Sequence, residues 1–458
     1  MENRDPSLRR RDAVRRAQAE YADRHPRSRA CWQRALGAMP GGDTRSVVYH
    51  APFPLALVEG HGCRVRDADG HEYLDFLNNF TSLIHGHAHP AIVDAVVARI
   101  RQGTALPALV PEQADLARLL VDRVPGVDQV RFCNSGTEAT LFAVQTARAH
   151  SGRSDIIKME GGYHGGHDVA AVSVHPDLDK AGPADRPLAV PESAGIDRRA
   201  AAGVHVVPFN DAAALGRTLD ELEGRIAAVL MEPVLGQAGY IPPEPGYLEE
   251  VRRLCTERQV VLIFDEVQTL RVGYGGAQAK YGVVPDLTAL GKIIGGGFPV
   301  GAFGGPKDIM QVYDPTRPGS IKHSGTFNGN PVTMAGGRVA MELLDAAALH
   351  RLETLAERLE QGIEDGICRA DLPAHVTRSG SLLSLHFTSP PVHAWRDTLR
   401  EPPGAGWLFY FELLQRGIHT APGRSAFNLS TPMDEAIVDH ALAAIGDALA
   451  VVAEAWRP

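Results

Sequence analysis

Between about residues 128 and 305, short β-branched, apolar runs alternate with longer stretches of helical spacing. That alternation predicts a mostly parallel sheet covered by helices on both faces. The expected strands are 129–132, 155–159, 205–207, 227–231, 260–264, 287–290 and 301–303. From about residue 335 the pattern changes. Leu343, Leu344, Leu352, Leu355, Leu359 and Ile363 keep a helical spacing, as do Val438, Ala441, Leu442, Ile445, Leu449 and Val452, with a strand-like run at 381–387 between them. The chain therefore reads as α/β, with a large domain over 76–335 carrying the seven strands and a smaller α+β domain over 336–458. Residues 1–75 begin helical and then contribute to the small domain, while 177–197, rich in Pro, Ala and Asp, reads as a long surface loop.

With 458 residues, 44% of them hydrophobic, the chain can bury a substantial core. A net charge of -9 argues against nucleic acid, whose phosphates reward concentrated positive charge. The one basic cluster, Arg9-Arg10-Arg11 with Arg15 and Arg16, lies in a polar segment that reads as a solvated helix or tail. Five scattered cysteines, none in Cys-x-x-Cys spacing, suggest neither a disulfide framework nor a thiolate metal site. No apolar run is expected to span a bilayer, and the N-terminus lacks the apolar core of a secretory signal. A soluble, cytoplasmic protein without membrane association is the expectation.

Several expected strands run directly into residues with chemistry, and ligands of open α/β sheets bind beyond the carboxyl ends of strands. Lys292 follows one such strand and is fenced by Gly291 and Gly295-Gly296-Gly297, which let a flat ligand approach the backbone. Such an amine can form a Schiff base with an aldehyde. Asp265 and Glu266 close the apolar run 260–264, where an unpaired carboxylate would be costly, so a cationic or hydrogen-bonded partner is expected. An ordinary salt bridge, for instance to Arg271, would serve as well as a protonated ring nitrogen.

Asn134-Ser135-Gly136-Thr137-Glu138 opens a helix, where free amides and hydroxyls suit a phosphate. Ser135-x-x-Glu138 is equally a capping box, and the run is neither a Walker loop nor a dinucleotide turn. Gly161-Gly162-Tyr163-His164-Gly165-Gly166-His167 supplies an aromatic face. A zinc site from His164 and His167 with His85, His87 and His89 is a rival reading, but the usual ligand patterns are missing, so no metal is expected.

Together these runs, above all Leu290-Gly291-Lys292-Ile293-Ile294-Gly295-Gly296-Gly297, resemble the class III aminotransferases, which are fold type I pyridoxal-phosphate enzymes. The likeness extends from about Ala38 to the C-terminal helix and is greatest for glutamate-1-semialdehyde aminomutases and β-phenylalanine aminotransferases. It implies pyridoxal 5'-phosphate on Lys292, with Asp265 keeping the pyridine nitrogen protonated. Val267 and Tyr163 would cover the ring faces, and Gln268 would sit near the ring hydroxyl. Ser135, Gly136 and Thr137 would hold the phosphate together with Thr326, which in the family reaches across from the partner subunit. A homodimer with shared active sites follows, turning over small-molecule amines and keto acids.

By the same resemblance Arg45, within Gly41-Gly42-Asp43-Thr44-Arg45, would clamp a substrate carboxylate. Phe80, with Asn78, Asn79 and Thr81, would line the substrate side where aminomutases carry a tryptophan-containing segment. Arg424 is a candidate second carboxylate arginine or a solvated loop residue, in a loop lacking the glutamate expected of an aminomutase. The expected reaction is transfer of an amino group from a carboxylated amine, in particular a β-amino acid, to an α-keto acid. The alternatives are a semialdehyde-type aminomutase and an amino-acid racemase or epimerase.

Overall fold

The computed structural model describes residues 6–457. Its strands, in chain order, are β1 Leu57–His61, β2 Arg64–Asp67, β3 Glu72–Asp75, β4 Gln129–Cys133, β5 Asp155–Met159, β6 Val204–Val207, β7 Ile226–Met231, β8 Val261–Asp265, β9 Leu287–Gly291, β10 Gly301–Gly305, β11 His375–Ser379, β12 Leu382–His386, β13 Ile418–His419 and β14 Ala426–Asn428. They divide between two units. One takes the chain through His89 with Arg351–Pro391 and the part from Leu399 onward; the other takes Pro90–His350 and Val392–Thr398.

The second unit is built on a seven-stranded sheet of order β4-β10-β9-β8-β7-β5-β6. Only β10 runs antiparallel to its neighbours; β9, β8, β7, β5 and β6 are paired in parallel. Successive side chains of a strand point to opposite faces, and here each face meets its own helices. Ile157, Val229, Leu262 and Phe264 pack with Leu248, Val251 and Cys255 of helix Tyr247–Glu257. Ile156, Ala228, Leu230 and Ile263 pack with Ala143, Val144 and Ala147 of helix Gly136–Ser151. With both faces covered, the central strands need apolar residues throughout, and every residue of β7, β8 and β9 is buried. Truncating one of these, such as Leu262→Ala, should cost about 2–5 kcal/mol. All seven expected strands form, with ends displaced by at most two residues.

The joints between units lie at 89/90 and 350/351 rather than at 75/76 and 335/336. Helix Pro331–Leu343 buries Val332 and Ala340 against Ile92 and Val96 of helix Pro90–Ile100, which keeps it in the sheet unit. Residues 76–89 are tied to the other unit: the Phe76 amide donates to His419 at 2.9 Å, and Gly62 and His87 exchange amide hydrogen bonds of 2.9 and 2.7 Å.

The first unit contains a sheet of order β1-β2-β3-β13 and an antiparallel sheet β11-β12-β14. Helices Pro6–Arg24 and Pro26–Leu36 meet at His25, and Asp69 caps the second by accepting from the Arg27 and Ser28 amides at 2.7 and 2.9 Å. The C-terminal helix Glu435–Trp456 corrects one expectation: at 22 residues it is long and apolar enough to cross a bilayer by length and composition. Alanines fill much of its helical pattern, while Asp439, His440, Asp447 and Glu454 mark an exposed face. Val438, Ala441, Ile445, Leu449 and Val452 are buried in the protein.

Candidate active site

Three adjacent parallel strands end in ionisable groups: β7 runs into Glu232, β8 ends at Asp265 and is followed by Glu266, and β9 runs into Lys292. Lys292 opens a short 3-10 turn, Lys292–Gly295, with a left-handed backbone at φ 51°. Such a conformation is costly for a residue with a β-carbon and is kept where surrounding structure enforces it. Burial lowers the pKa of the amine to about 8, against the opposing fields of Glu232 and Asp265.

Asp265 is 4% exposed. Its Oδ1 accepts from the Val267 amide at 3.1 Å, and its Oδ2 faces His164 Nδ1 at 2.9 Å. A carboxylate only accepts, so His164 donates from Nδ1; burial lowers the pKa of this ring and favours its neutral form. Glu232 Oε2 accepts from the Tyr163 amide at 3.1 Å and Oε1 from the Gly236 amide at 3.3 Å. Burial, reinforced by Asp265, pushes Glu232 up to about 8. Glu266 turns away from this group. It accepts from the Thr269 hydroxyl and the Ala277 and Gln278 amides, the latter two at 2.9 and 2.8 Å. Both carboxylates thus have hydrogen-bond donors from neighbouring amides and side chains.

At the end of β4, Ser135 caps helix Gly136–Ser151: its hydroxyl accepts from the Glu138 amide at 3.1 Å, while Glu138 accepts from the Asn134 amide at 2.7 Å. The capping box is real, and it presents Gly136 and Thr137 in the first turn. A β-carbon at Gly136 would stand 3.0 Å from Val267 Cγ1, and one at Gly291 would stand 3.3 Å from the same atom. The two glycines therefore bring the phosphate-type loop, Val267 and the backbone before Lys292 together. Thr137 adjoins the glycine-rich loop, accepting from the Gly166 amide at 3.4 Å. Tyr163 is 45% exposed, and its phenol feels the charges of Asp265 and Glu232. Gln268 Nε2 lies 3.5 Å from Glu232 Oε1.

Thr326 is exposed in the turn before Asn330, where Asn328 Oδ1 accepts from Asn134 Nδ2 at 2.8 Å. Arg45 and Phe80 belong to the other unit. The Arg45 guanidinium donates to Asn79 Oδ1 at 2.8 Å and lies 5.9 Å above the Phe80 ring. Asn78, Asn79, Phe80 and Thr81 form a left-handed turn with φ of 49, 46, 55 and 75°, a run of strained residues of the kind held at ligand sites. Arg424 is exposed in a turn closed by its own amide on Ala421.

Two groups escaped the sequence reading. Glu232 follows an apolar strand just as Asp265 does, which is the signal that could have found it. Lys158 is the one basic residue of β5 and is fully buried; its amine donates to the Gly162 carbonyl at 2.8 Å and to the Val172 carbonyl, and burial lowers its pKa to about 7. It anchors the loop that carries Tyr163. The zinc reading gains nothing: His164 is taken up by Asp265 and His167 Nε2 lies 3.2 Å from the Thr140 hydroxyl. Among the described residues, the three-ligand group with metal spacing is elsewhere, at His25, Asp67 and His71.

A depressed amine, a buried carboxylate with a fixed partner, a hydroxyl-lined helix start and an apolar valine brought in by two glycines suit pyridoxal phosphate, with its aldehyde, ring nitrogen, phosphate and flat face. Known proteins point the same way. Residues 46–427 match the model of the family described as aminotransferase class-III. A glutamate-1-semialdehyde 2,1-aminomutase of Methanopyrus kandleri is 39% identical over 94% of this chain and 98% of its own. An omega-transaminase from Sphaerobacter thermophilus is 42% identical with a TM-score of 0.90, over 93% of this chain and 97% of its own. A β-phenylalanine aminotransferase from Variovorax paradoxus is 36% identical with a TM-score of 0.85, over 96% and 97%. The fold, the chemistry at the ends of β7, β8 and β9, and these likenesses agree: the chain belongs to the class III aminotransferases and is a pyridoxal-phosphate-dependent enzyme.

Proposed function

We propose that the enzyme transfers the amino group of a carboxylated amine, specifically a β-amino acid, to an α-keto acid, with Lys292 as the point of cofactor attachment. The observation that carries this reading is the Lys292 amine itself, strained at φ 51° and depressed to about 8 beside Asp265 and Glu232. When bound, pyridoxal phosphate supplies the electron sink for the carbon that loses a proton. Asp265 Oδ2, oriented by His164, holds the proton on the ring nitrogen. Ser135, Gly136 and Thr137 would hold the phosphate, Val267 and Tyr163 would cover the ring, and Gln268 would lie near its hydroxyl. Lys292 Nζ would hold the cofactor through its aldehyde carbon and, when not so engaged, would serve as the base for the amine-bearing carbon.

For the substrate side, Arg45 is the carboxylate clamp, pre-oriented by Asn79 and Phe80, with Arg424 as a second candidate. The left-handed turn 78–81 and the loop around Arg424, neither of which carries aminomutase-type residues, support a transaminase. A homodimer is part of the proposal, with Thr326 reaching the phosphate of the partner. Helix Pro90–Ile100 supports it: Val93, Val97 and Ile100 form an exposed apolar stripe beside the buried Ile92 and Val96. The identity to the Methanopyrus aminomutase favours a second reading, in which the amino group moves within one molecule.

The test is to mix the holoenzyme with panels of α-, β- and ω-amines and follow the visible absorbance of the lysine-bound cofactor. β-Amino acids should discharge it and an α-keto acid should restore it. Discharge by α- or ω-amines alone, or conversion of a substrate without any keto acid, overturns the donor assignment. Lys292→Ala should lose both turnover and the absorbance; retained transamination would sink the role of Lys292.

A further inference from the structure

His25, at the joint of the two N-terminal helices, faces Asp67 at the end of β2 and His71 in the turn before β3. His25 Nε2 lies 3.4 Å and His71 Nδ1 3.0 Å from Asp67 Oδ2, and the three ligand atoms are all within 4.8 Å of one another. Tetrahedral zinc with bonds of about 2.0–2.1 Å separates its ligands by roughly 3.3 Å, so Asp67 Oδ2 already stands at such a separation from both imidazole nitrogens. We propose that His25, Asp67 and His71 bind one zinc-class divalent cation, at a site separate from the Lys292 chemistry.

The groups around the three donors are those that orient metal ligands. His25 Nδ1 donates to the Tyr21 carbonyl at 2.6 Å, which turns Nε2 inward. Asp67 Oδ1 accepts from the Asp69 and His71 amides at 3.0 and 2.8 Å, leaving Oδ2 as the inward oxygen. The Tyr73 hydroxyl stands 2.8 Å from Oδ2 and 2.9 Å from His25 Nε2, a fourth polar donor beside the other three. Two imidazoles with one carboxylate suit zinc rather than calcium or magnesium, which demand oxygen. His25 and Asp67 are buried, whereas the His71 side chain is 33% exposed and gives an entry path. The cation would pin the helix joint to the β2–β3 turn, where Asp69 already caps the second helix, and so stabilise this unit.

The full-length holoenzyme without a histidine tag is stripped with a chelator, loaded with Zn2+, desalted and assayed for metal. One zinc per chain and a raised Tm are expected. His71→Ala and His71→Gln should weaken binding about 10-fold or more and abolish the Tm shift, while the exposed His150→Ala control keeps both. Co2+, loaded the same way, should give the intense ligand-field absorption of a four-coordinate site. Absence of that absorption in the unmodified protein, or equal zinc retention by both His71 variants, overturns the site.

Discussion

His164 Nδ1 donates to Asp265 Oδ2 over 2.9 Å, joining the loop after β5 to the end of β8, two strands that are separated in the sheet by β7. Asp265 is thereby held by two donors and can turn neither oxygen freely. Asp265→Asn keeps the shape and removes the charge. It should lower kcat by about 100-fold or more, the scale of losing one preorganised electrostatic contact, while the cofactor remains bound by absorbance. A variant with near-normal kcat would show that the ring nitrogen does not depend on this carboxylate.

The depressed Lys292 amine sets a pH dependence. Its pKa falls from the ordinary lysine range to about 8, and only the neutral amine attacks an aldehyde. The rate at which apoenzyme takes up pyridoxal phosphate should therefore rise about tenfold per unit up to pH 8 and level off above it. Stopped-flow absorbance over pH 6–10 reads this directly.

Glu232 opposes that depression, since its carboxylate favours the charged amine. Glu232→Gln removes the favourable field and leaves Asp265 alone to support Lys292. The midpoint of the same uptake profile should move to lower pH; a move to higher pH would show that Glu232 acts on the amine in some other way.

Arg45 offers a charge-assisted contact that only a carboxylated substrate can use, worth about 1.5–3 kcal/mol. Arg45→Ala should raise KM for β-amino acids about 10- to 100-fold and leave that for a carboxylate-free primary amine unchanged. Equal losses for both amines would remove Arg45 from the clamp.

A structural prediction concerns Asp75, buried at the end of β3 with His87 Nε2 at 2.7 Å and His419 Nδ1 at 3.2 Å. Burial would raise its pKa, but the hydrogen bonds to His419 and His87 hold it well below the usual carboxylate range. The stabilisation is thus present above the unfolded carboxylate pKa and is lost as pH falls through the folded value. Asp75→Asn should cost about 3 kcal/mol at neutral pH, and its deficit should shrink in acid. Chemical denaturation of both proteins across the acid range measures it.

The sheet was legible because β7, β8 and β9 are buried on both faces, and a strand with two covered faces must be apolar throughout. Lys292 and Asp265 were legible for the same reason, as charged residues that end such runs beside glycines. Glu232 ends its run equally abruptly, but a lone glutamate before Pro233 has no distinctive neighbour. His164 was visible as an imidazole in a glycine-rich loop, with nothing local to say whether a metal or a carboxylate would claim Nδ1. The apolar length of the C-terminal helix was not legible, because Asp439, His440 and Asp447 interrupt its run in the sequence. Its alanines and aliphatic residues nonetheless make the whole helix apolar enough to cross a bilayer by length and composition.

The sequence by itself determined the alternation of strands and helices, the family, and the residue types at the ends of the strands, because periodicity and local spacing are properties of the chain. Tertiary structure decided the partners: His164 on Asp265, Glu232 beside Lys292, Val267 against Gly136 and Gly291, and His25 facing Asp67 and His71. Each of these pairings except His71 with Asp67 joins residues at least 24 positions apart in the chain. Contacts and electrostatic fields depend on distance in space, so only the folded chain could specify them.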